Sequence, residues 1–430
     1  MYAQSSLLSE NHAIRTSVQF LEVLTARYQQ KNFAVRLWDG SLWGEVQHPR
    51  FTLVLKHPGA LRSMFMSPNE LTLGEAFIYD DFDIEGDIEG AFDLADSLMQ
   101  DDSIIKKLKL GTLLAVLPAT SNQNNLPHGA RLHGGLHSRE RDRDAVRYHY
   151  DISNDFYSLW LDRSMVYSCG YFKSADDDID TAQTRKLDYL CKKLRLQPGD
   201  RVLDLGCGWG GLLMHAAKYY GVDSFGITLS APQAELARER IRLAGLEDHC
   251  KVEVRDYREL DPSRRYDKIV SVGMFEHVGE KLLTEYFQRA WNSLRPGGIF
   301  LNHGIAASAI FPSSSPSFVD KYVFPDGELV PLNTTVRAAE ACGFEVRDVE
   351  SLREHYALTL RQWVRRLEAK AGEAKRIVSD LTYRVWRIYM SGSAHRFKTG
   401  RLNLYQVLFL KPDGGNSHLP LTREDWYAGS

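Results

Sequence analysis

The sequence predicts an α/β protein: a doubly wound, mostly parallel, seven-stranded sheet preceded by a smaller α+β domain. Three observations carry this. From Val146 onward, short apolar runs alternate with helical segments, the order that builds a parallel sheet covered on both faces. A glycine-rich turn, Gly206-Cys207-Gly208-Trp209-Gly210-Gly211, separates the first of those strands from its helix. Residues 1–118 show hairpin signals and a two-residue period instead.

The elements follow in order. Asp39-Gly40 lies between two alternating runs, FAVRLW and SLWGEV, and predicts a hairpin. RFTLVLKHP reads as a strand. LTLGEAFIYDDFDIEGDIEGAFDLADSLMQ reads as paired strands running into an amphipathic helix that buries Phe92, Leu94, Ala95 and Leu98. SIIKKLKLGTLLAVLP is basic and apolar, and Pro118 ends it. Its Lys106, Lys107 and Lys109, beside Ile104, Ile105, Leu108 and Leu110, suit an anionic bilayer surface or a helix packed on its own domain. Residues 119–145 then turn to Ser, Asn, Gly, His and Arg, a linker composition. His128, His133 and His137 within it match no common metal-ligand spacing, so no metal is expected.

The expected organisation is thus a lipid- or membrane-docking domain at 1–118, a flexible linker at 119–145 and a catalytic domain at 146–430. The seven strands of the last are DRVLDLGC, DSFGITLS, KVEVRD, YDKIVSVG, GGIFLNHG, FEVRDVES and LNLYQVLFLKP. A Ser/Pro-rich insertion follows the fifth strand, and a helical one runs from Tyr356 to about Arg396.

Composition excludes several classes of function. Lys plus Arg at 53 against Asp plus Glu at 56 gives a net charge of −3, which offers nucleic acid no basic field. Five scattered cysteines without a CxxC pair build neither a disulfide framework nor a zinc knuckle. No run approaches the roughly 20 apolar residues of a membrane span, and no basic-then-apolar leader opens the chain. A cytoplasmic enzyme is expected.

The glycine turn sharpens the reading. A GxGxxG alone is weak, but Asp204 stands two residues before its first glycine. A dinucleotide dehydrogenase would want an acid at the end of the second strand, and that strand ends Gly226-Ile227-Thr228-Leu229-Ser230. The hhDhGxGxG pattern resembles class I S-adenosylmethionine-dependent methyltransferases. That resemblance implies S-adenosylmethionine as the methyl donor, held by Asp204, Gly206, Gly208, Thr228, Gln233, Asp256 and Tyr257; a narrower family resemblance adds Tyr167 and Ser168. The glycines would face the methionine moiety, Gln233 the ribose hydroxyls, and Asp256 with Tyr257 the adenine.

Six segments in order, the glycine turn among them, narrow the family: YHYDISNDFYSLWLDRSMVYSCGYF, VLDLGCGWGG, GITLSAPQ, SVGMFEHVG, LNHGIA and HYALTLRQW. Together they resemble the cyclopropane-fatty-acyl-phospholipid synthases and mycolic acid cyclopropane synthases, from about Val146 to Pro412. The resemblance implies transfer of a methylene group to a cis double bond of an acyl chain in a phospholipid. It also implies a bound bicarbonate ion as base, at Cys169, Glu276, His303, Ile305 and Tyr356. Cys169 and Ile305 would act through backbone groups, and the other three through side chains. Glu276 beside an anion requires a retained proton on the carboxyl, or the anion's own hydroxyl donated to it. The aromatic stripe Tyr148, Tyr150, Phe156, Tyr157, Trp160, Tyr167, Tyr171 and Phe172 reads mainly as core or acyl-chain contact. The implied partners are an unsaturated phospholipid and the inner membrane face, reached peripherally; a homodimer is one expected assembly. Competing readings are a methyl-branched product from the same chemistry, a small-molecule N- or O-methyltransferase, and an inactive lipid-binding protein.

Overall fold

The computed structural model describes residues 2–30, 32–45, 47–99, 104–119, 129–130, 132–308, 310 and 317–427. Two compact units emerge: residues 1–129, 316–318 and 380–395 form the first, and 130–315, 319–379 and 396–430 the second. The units are not the contiguous blocks expected from composition. Sixteen residues from late in the chain, Asp380–His395, group with the first unit. Its arginines show why. Arg384 donates to the carbonyls of Phe77 and Phe82 at 2.8 and 2.7 Å, and Arg387 donates to Ile84 O at 2.8 Å. Both also reach Asp83 at 3.1 Å.

The first unit holds a four-stranded sheet, β1 (Phe33–Arg36), β2 (Leu42–Gly44), β3 (Phe51–Leu55) and β4 (Phe82–Gly86), in the order β2-β1-β3-β4. β1 and β2 pair antiparallel around Asp39-Gly40, as the sequence predicts. Phe33 and Phe51 are cross-strand partners with stacked rings 5.3 Å apart. One expectation fails here. LTLGEAFIY is no strand but the helix Glu70–Ile78. Asn69 and Thr72 exchange hydrogen bonds at its start, Thr72 N to Asn69 Oδ1 at 2.9 Å and Asn69 N to Thr72 Oγ1 at 3.0 Å. That reciprocal cap outweighs the alternating pattern. The helix Ile88–Met99 does follow β4, with Leu94 buried and Phe92, Ala95 and Leu98 partly so.

The second unit carries the seven strands β5 (Arg201–Leu205), β6 (Asp223–Thr228), β7 (Cys250–Val254), β8 (Tyr266–Val272), β9 (Leu294–Ala307), β10 (Glu345–Ser351) and β11 (Leu402–Leu410). Their order is β10-β11-β9-β8-β5-β6-β7, and only β11 runs against the rest. Alternation along β9 and β11 serves both faces. Phe300 and Phe409 pack with helices Leu283–Ser293 and Leu332–Ala341, whereas Leu301 and Leu408 pack with helix Ile179–Leu194. This is the class I methyltransferase fold. The order reverses at β5, which opens a crevice at the carboxyl ends of β5 and β8.

Part of the expected linker is ordered. Arg139–Tyr150 is a helix whose N-cap, Ser138, accepts from Arg141 N. Charge-rich composition hid it; the helix is fixed by Arg141 on Asp326 and by Asp142 on Arg258. Residues 120–128 of that stretch, His128 among them, lie outside the described residues, as does most of the Ser/Pro-rich insertion. Beyond Pro412, a stretch the sequence left unread, Trp426 is buried under Lys193 and Arg195.

Candidate active site

The turn after β5 sets the site. Gly206, Gly208 and Gly210 have φ of 91°, 52° and 78°, values that cost a residue with a side chain. Gly206 is also needed for space, since a Cβ there would sit 2.7 Å from Met274 Cβ. A Cβ at Gly208 would meet no protein atom within 4 Å; it would project into open space. Trp209, next in the turn, donates its indole N–H to Asn154 Oδ1 at 2.7 Å and is fully buried.

A cavity opens over this turn. Tyr167, Ser168, Asp204, Gly206, Gly208, Thr228, Gln233, Asp256 and Tyr257 all line it, so all nine residues proposed around the methyl donor share one space. Thr228 Oγ1 donates to Gln233 Oε1 at 2.8 Å, which leaves the Gln233 amide N–H groups as its offer to a ligand. Asp256 is clasped by Arg258: Nε to Oδ1 at 2.8 Å and Nη2 to Oδ2 at 2.6 Å. Asp142 shares the same guanidinium at 3.0 Å. Of the aromatic stripe, Tyr150 and Tyr167 line the cavity, while Phe156, Tyr157 and Trp160 are core and Tyr148 is exposed.

Lys186 is the residue of this cavity that the sequence reading missed. It is 1% exposed, lines the cavity and donates from Nζ to Ser168 Oγ at 2.8 Å. Burial lowers its pKa to about 8 despite Asp162, Cys169 and Asp204. Asp204 is its counterpart, raised to about 7 by burial and held back by Lys186, with Oδ1 lacking any partner. A signal existed. Ile179, Ala182, Lys186 and Leu190 share the buried stripe of one helix, where a lysine is out of place.

The second cluster assembles at the carboxyl edge of β8 and β9. Val272 pairs with His303 on the last shared rung, and β9 runs on to Ala307 against β11 alone. His303 is thus not the end of its strand, and Ile305 lies two residues beyond, on the same face. Ile305 N donates to Glu276 Oε1 at 2.7 Å. Across the ladder, Leu404 opposes Ile305 and accepts from Leu352 N at 2.9 Å. Leu352 O in turn accepts from Tyr356 N at 3.1 Å and faces Cys169 Sγ at 3.8 Å. The five expected residues, separated by up to 187 positions (356 − 169) in the chain, are therefore linked in one neighbourhood, where Ile305 is partly buried and the other four are buried.

Burial governs its chemistry. The Glu276 carboxyl is pushed up to about 7, against the pull of the Ile305 N–H. His303 is held well below the usual histidine range, so its ring is neutral. Gln406, on the neighbouring β11, places its amide nitrogen 3.1 Å from His303 Nδ1; a donor there puts the ring proton on Nε2. Glu276 Oε2 and His303 Nε2 are both buried without a hydrogen-bond partner. Cys169 has a cation nearby in Lys186, one the sequence did not place there, yet burial still drives the thiol far up. It is no nucleophile.

Comparison with known proteins decides the family. The family described as mycolic acid cyclopropane synthetase matches residues 137–407. The chain belongs to that family. A domain of unknown function matches residues 20–107. Among relatives, a probable fatty acid methyltransferase of Pseudomonas putida is 41% identical across 91% of this chain and 95% of its own. The cyclopropane-fatty-acyl-phospholipid synthase of Escherichia coli K12 is 37% identical across 75% and 83%. A solved mycolic acid cyclopropane synthase complexed with SAH and CTAB superposes with a TM-score of 0.60 at 34% identity, over 63% of this chain and 98% of that one. Membership of the cyclopropane synthetase family carries S-adenosylmethionine-dependent transfer with it. Among the described residues, no helix is long and apolar enough to cross a membrane.

Proposed function

We propose that this protein transfers a methylene group from S-adenosylmethionine to a cis double bond of an acyl chain in a membrane phospholipid, giving a cyclopropane. The observation that carries the reading is the pair of buried, unpartnered polar atoms, Glu276 Oε2 and His303 Nε2, in a cluster that shares the turn Val272–His277 with the donor cavity. A water-poor pocket does not leave two such atoms unsatisfied without cost. They fit a small oxyanion carrying its own hydroxyl, which is what bicarbonate is.

When bound, S-adenosylmethionine supplies an electrophilic methyl group and bicarbonate supplies a base. The residues do the rest. The glycine turn and Asp204 would hold the donor, with Tyr167 and Ser168 lining the same cavity beside it. An alkene needs no deprotonation, so alignment of its π face provides much of the acceleration. Methyl transfer, which breaks the donor's bond from sulfur to methyl, would leave positive charge on the acyl chain, and Tyr150 and Tyr167 are the aromatic residues of the cavity lining that would stabilise it. Loss of a proton from the new methyl group closes the ring. Near neutral pH, Glu276 retains a proton on a sizeable fraction of molecules, so Oε2 donates to an anion instead of repelling it. His303 Nε2–H gives a second donor, and the Ile305 N–H fixes the carboxyl of Glu276 in place.

One observation favours a second reading. The relative matched over 91% of the chain is named a probable fatty acid methyltransferase. A methyl-branched product would follow if the same positive charge lost a different proton. Purified protein, labelled S-adenosylmethionine and vesicles of unsaturated phospholipid test both. Either product gains one CH2, but only the ring lacks a double bond and shows the upfield ring protons by NMR. Degassing away carbon dioxide should stop turnover, and added bicarbonate should restore it. Full activity without carbon dioxide would remove bicarbonate from the mechanism.

A further inference from the structure

Helix Ile104–Val116 in the first unit presents four of its large apolar residues outward. Its inner side is Leu114 and Leu117, 2% and 1% exposed, with Leu110 and Leu113 partly covered. Arg62 fastens the far end, donating from Nη1 to Leu117 O at 2.8 Å. At about 100° per residue, the opposite arc holds Ile104, Ile105, Leu108, Gly111, Thr112, Ala115 and Val116. The four large ones are 74%, 81%, 68% and 56% exposed. Single exposed apolar residues are ordinary; a contiguous arc of them is not.

Charge frames that arc. Lys109 borders it on one side and Lys107 on the other, and no acidic residue occurs between Ile104 and Val116. A solvated helix carries its charges mid-face, whereas a helix lying in a bilayer interface carries them at the borders of an apolar face. We infer that this face seats itself in the head-group boundary of an anionic phospholipid bilayer. The inference rests on the lipid-substrate reading above and names the surface that reaches that lipid. The whole chain has a net charge of −3, so attraction to an anionic surface has to be local, as these lysines make it. A second copy of the chain suits the face less well, because a two-fold contact would set lysine borders of like charge against each other.

The test uses the full chain and sedimentation with vesicles of phosphatidylglycerol and phosphatidylethanolamine, with phosphatidylcholine vesicles as reference. Wild type should partition onto the anionic vesicles, and added salt should weaken this. Ile105→Glu with Leu108→Glu should reduce partitioning on the order of 100-fold at unchanged Tm. Lys107→Gln with Lys109→Gln should cost about fivefold per lysine. Turnover on substrate dispersed in detergent should be unchanged in both. Wild-type partitioning by both variants would overturn the proposal. So would a wild type that ignores vesicles and forms a dimer that the glutamates dissociate. If the helix binds vesicles as expected but no lipid is modified, the functional reading fails and the docking surface stands.

Discussion

The glycine corner and the Glu276–His303 cluster meet at one cavity, whose wall includes the turn that carries Glu276, yet they are built in opposite ways. The corner comes from one continuous segment, strand β5, its turn and the next helix, whose backbone angles demand glycine. The cluster comes from the Cys169 segment, the turn after β8, strand β9 and the start of helix Arg353–Ala369. The first is defined by local geometry. The second is defined by burial, which lifts Glu276 to about 7 and leaves two polar atoms waiting. Donor binding should therefore respond to shape, and turnover to protonation.

The largest effect should come from Gly208→Val. A Cβ there meets no protein atom within 4 Å, so the fold should persist apart from strain at a φ of 52°, while the side chain would project into the cavity proposed for the donor. Calorimetric titration should find donor binding abolished with Tm only slightly lowered. Unchanged affinity would separate the glycine turn from the donor.

Next comes Glu276→Gln, which keeps size and removes the acid. Turnover should fall on the order of 100-fold, within the usual range for a displaced acid–base group, and donor affinity should hold. Equal losses in both would merge the two regions into one site. Wild-type turnover should also decline as pH rises through about 7, where Glu276 loses the proton that lets it face an anion.

The smallest effect concerns stability. Glu276 folded holds its proton to about 7, above its ordinary value of 4.5, so between these the folded state binds more protons than the unfolded one. Stability must then fall as pH rises across that window and level off above it. Asp204 acts in the same sense, which is why the difference between Glu276→Gln and wild type is the useful quantity. The variant should gain on wild type by a few degrees in Tm between about pH 4.5 and 7, each pKa unit being worth about 1.4 kcal/mol. A constant difference would mean that Glu276 titrates like an exposed acid.

Much was legible in the sequence, and the reasons are local. All seven strands of the second unit announced themselves because short runs rich in apolar and β-branched residues recur between helical segments, and the glycine turn because its backbone angles exclude most residues. Asn69 and Thr72 show a local signal that was present and outranked by a false alternation. Other features had no local trace. Asp380–His395 joins the first unit through Arg384 and Arg387, whose partners lie about three hundred residues earlier. Gln406 meets His303 only because β11 lies beside β9, and although Lys186 stood out in its buried stripe, nothing local named Ser168 as its partner. By itself the sequence determined the strands of the second unit and where the glycine turn lies. Tertiary structure alone decided which charges are buried together, and so which carboxyl keeps a proton near neutral pH, because desolvation depends on neighbours that the chain brings from far away.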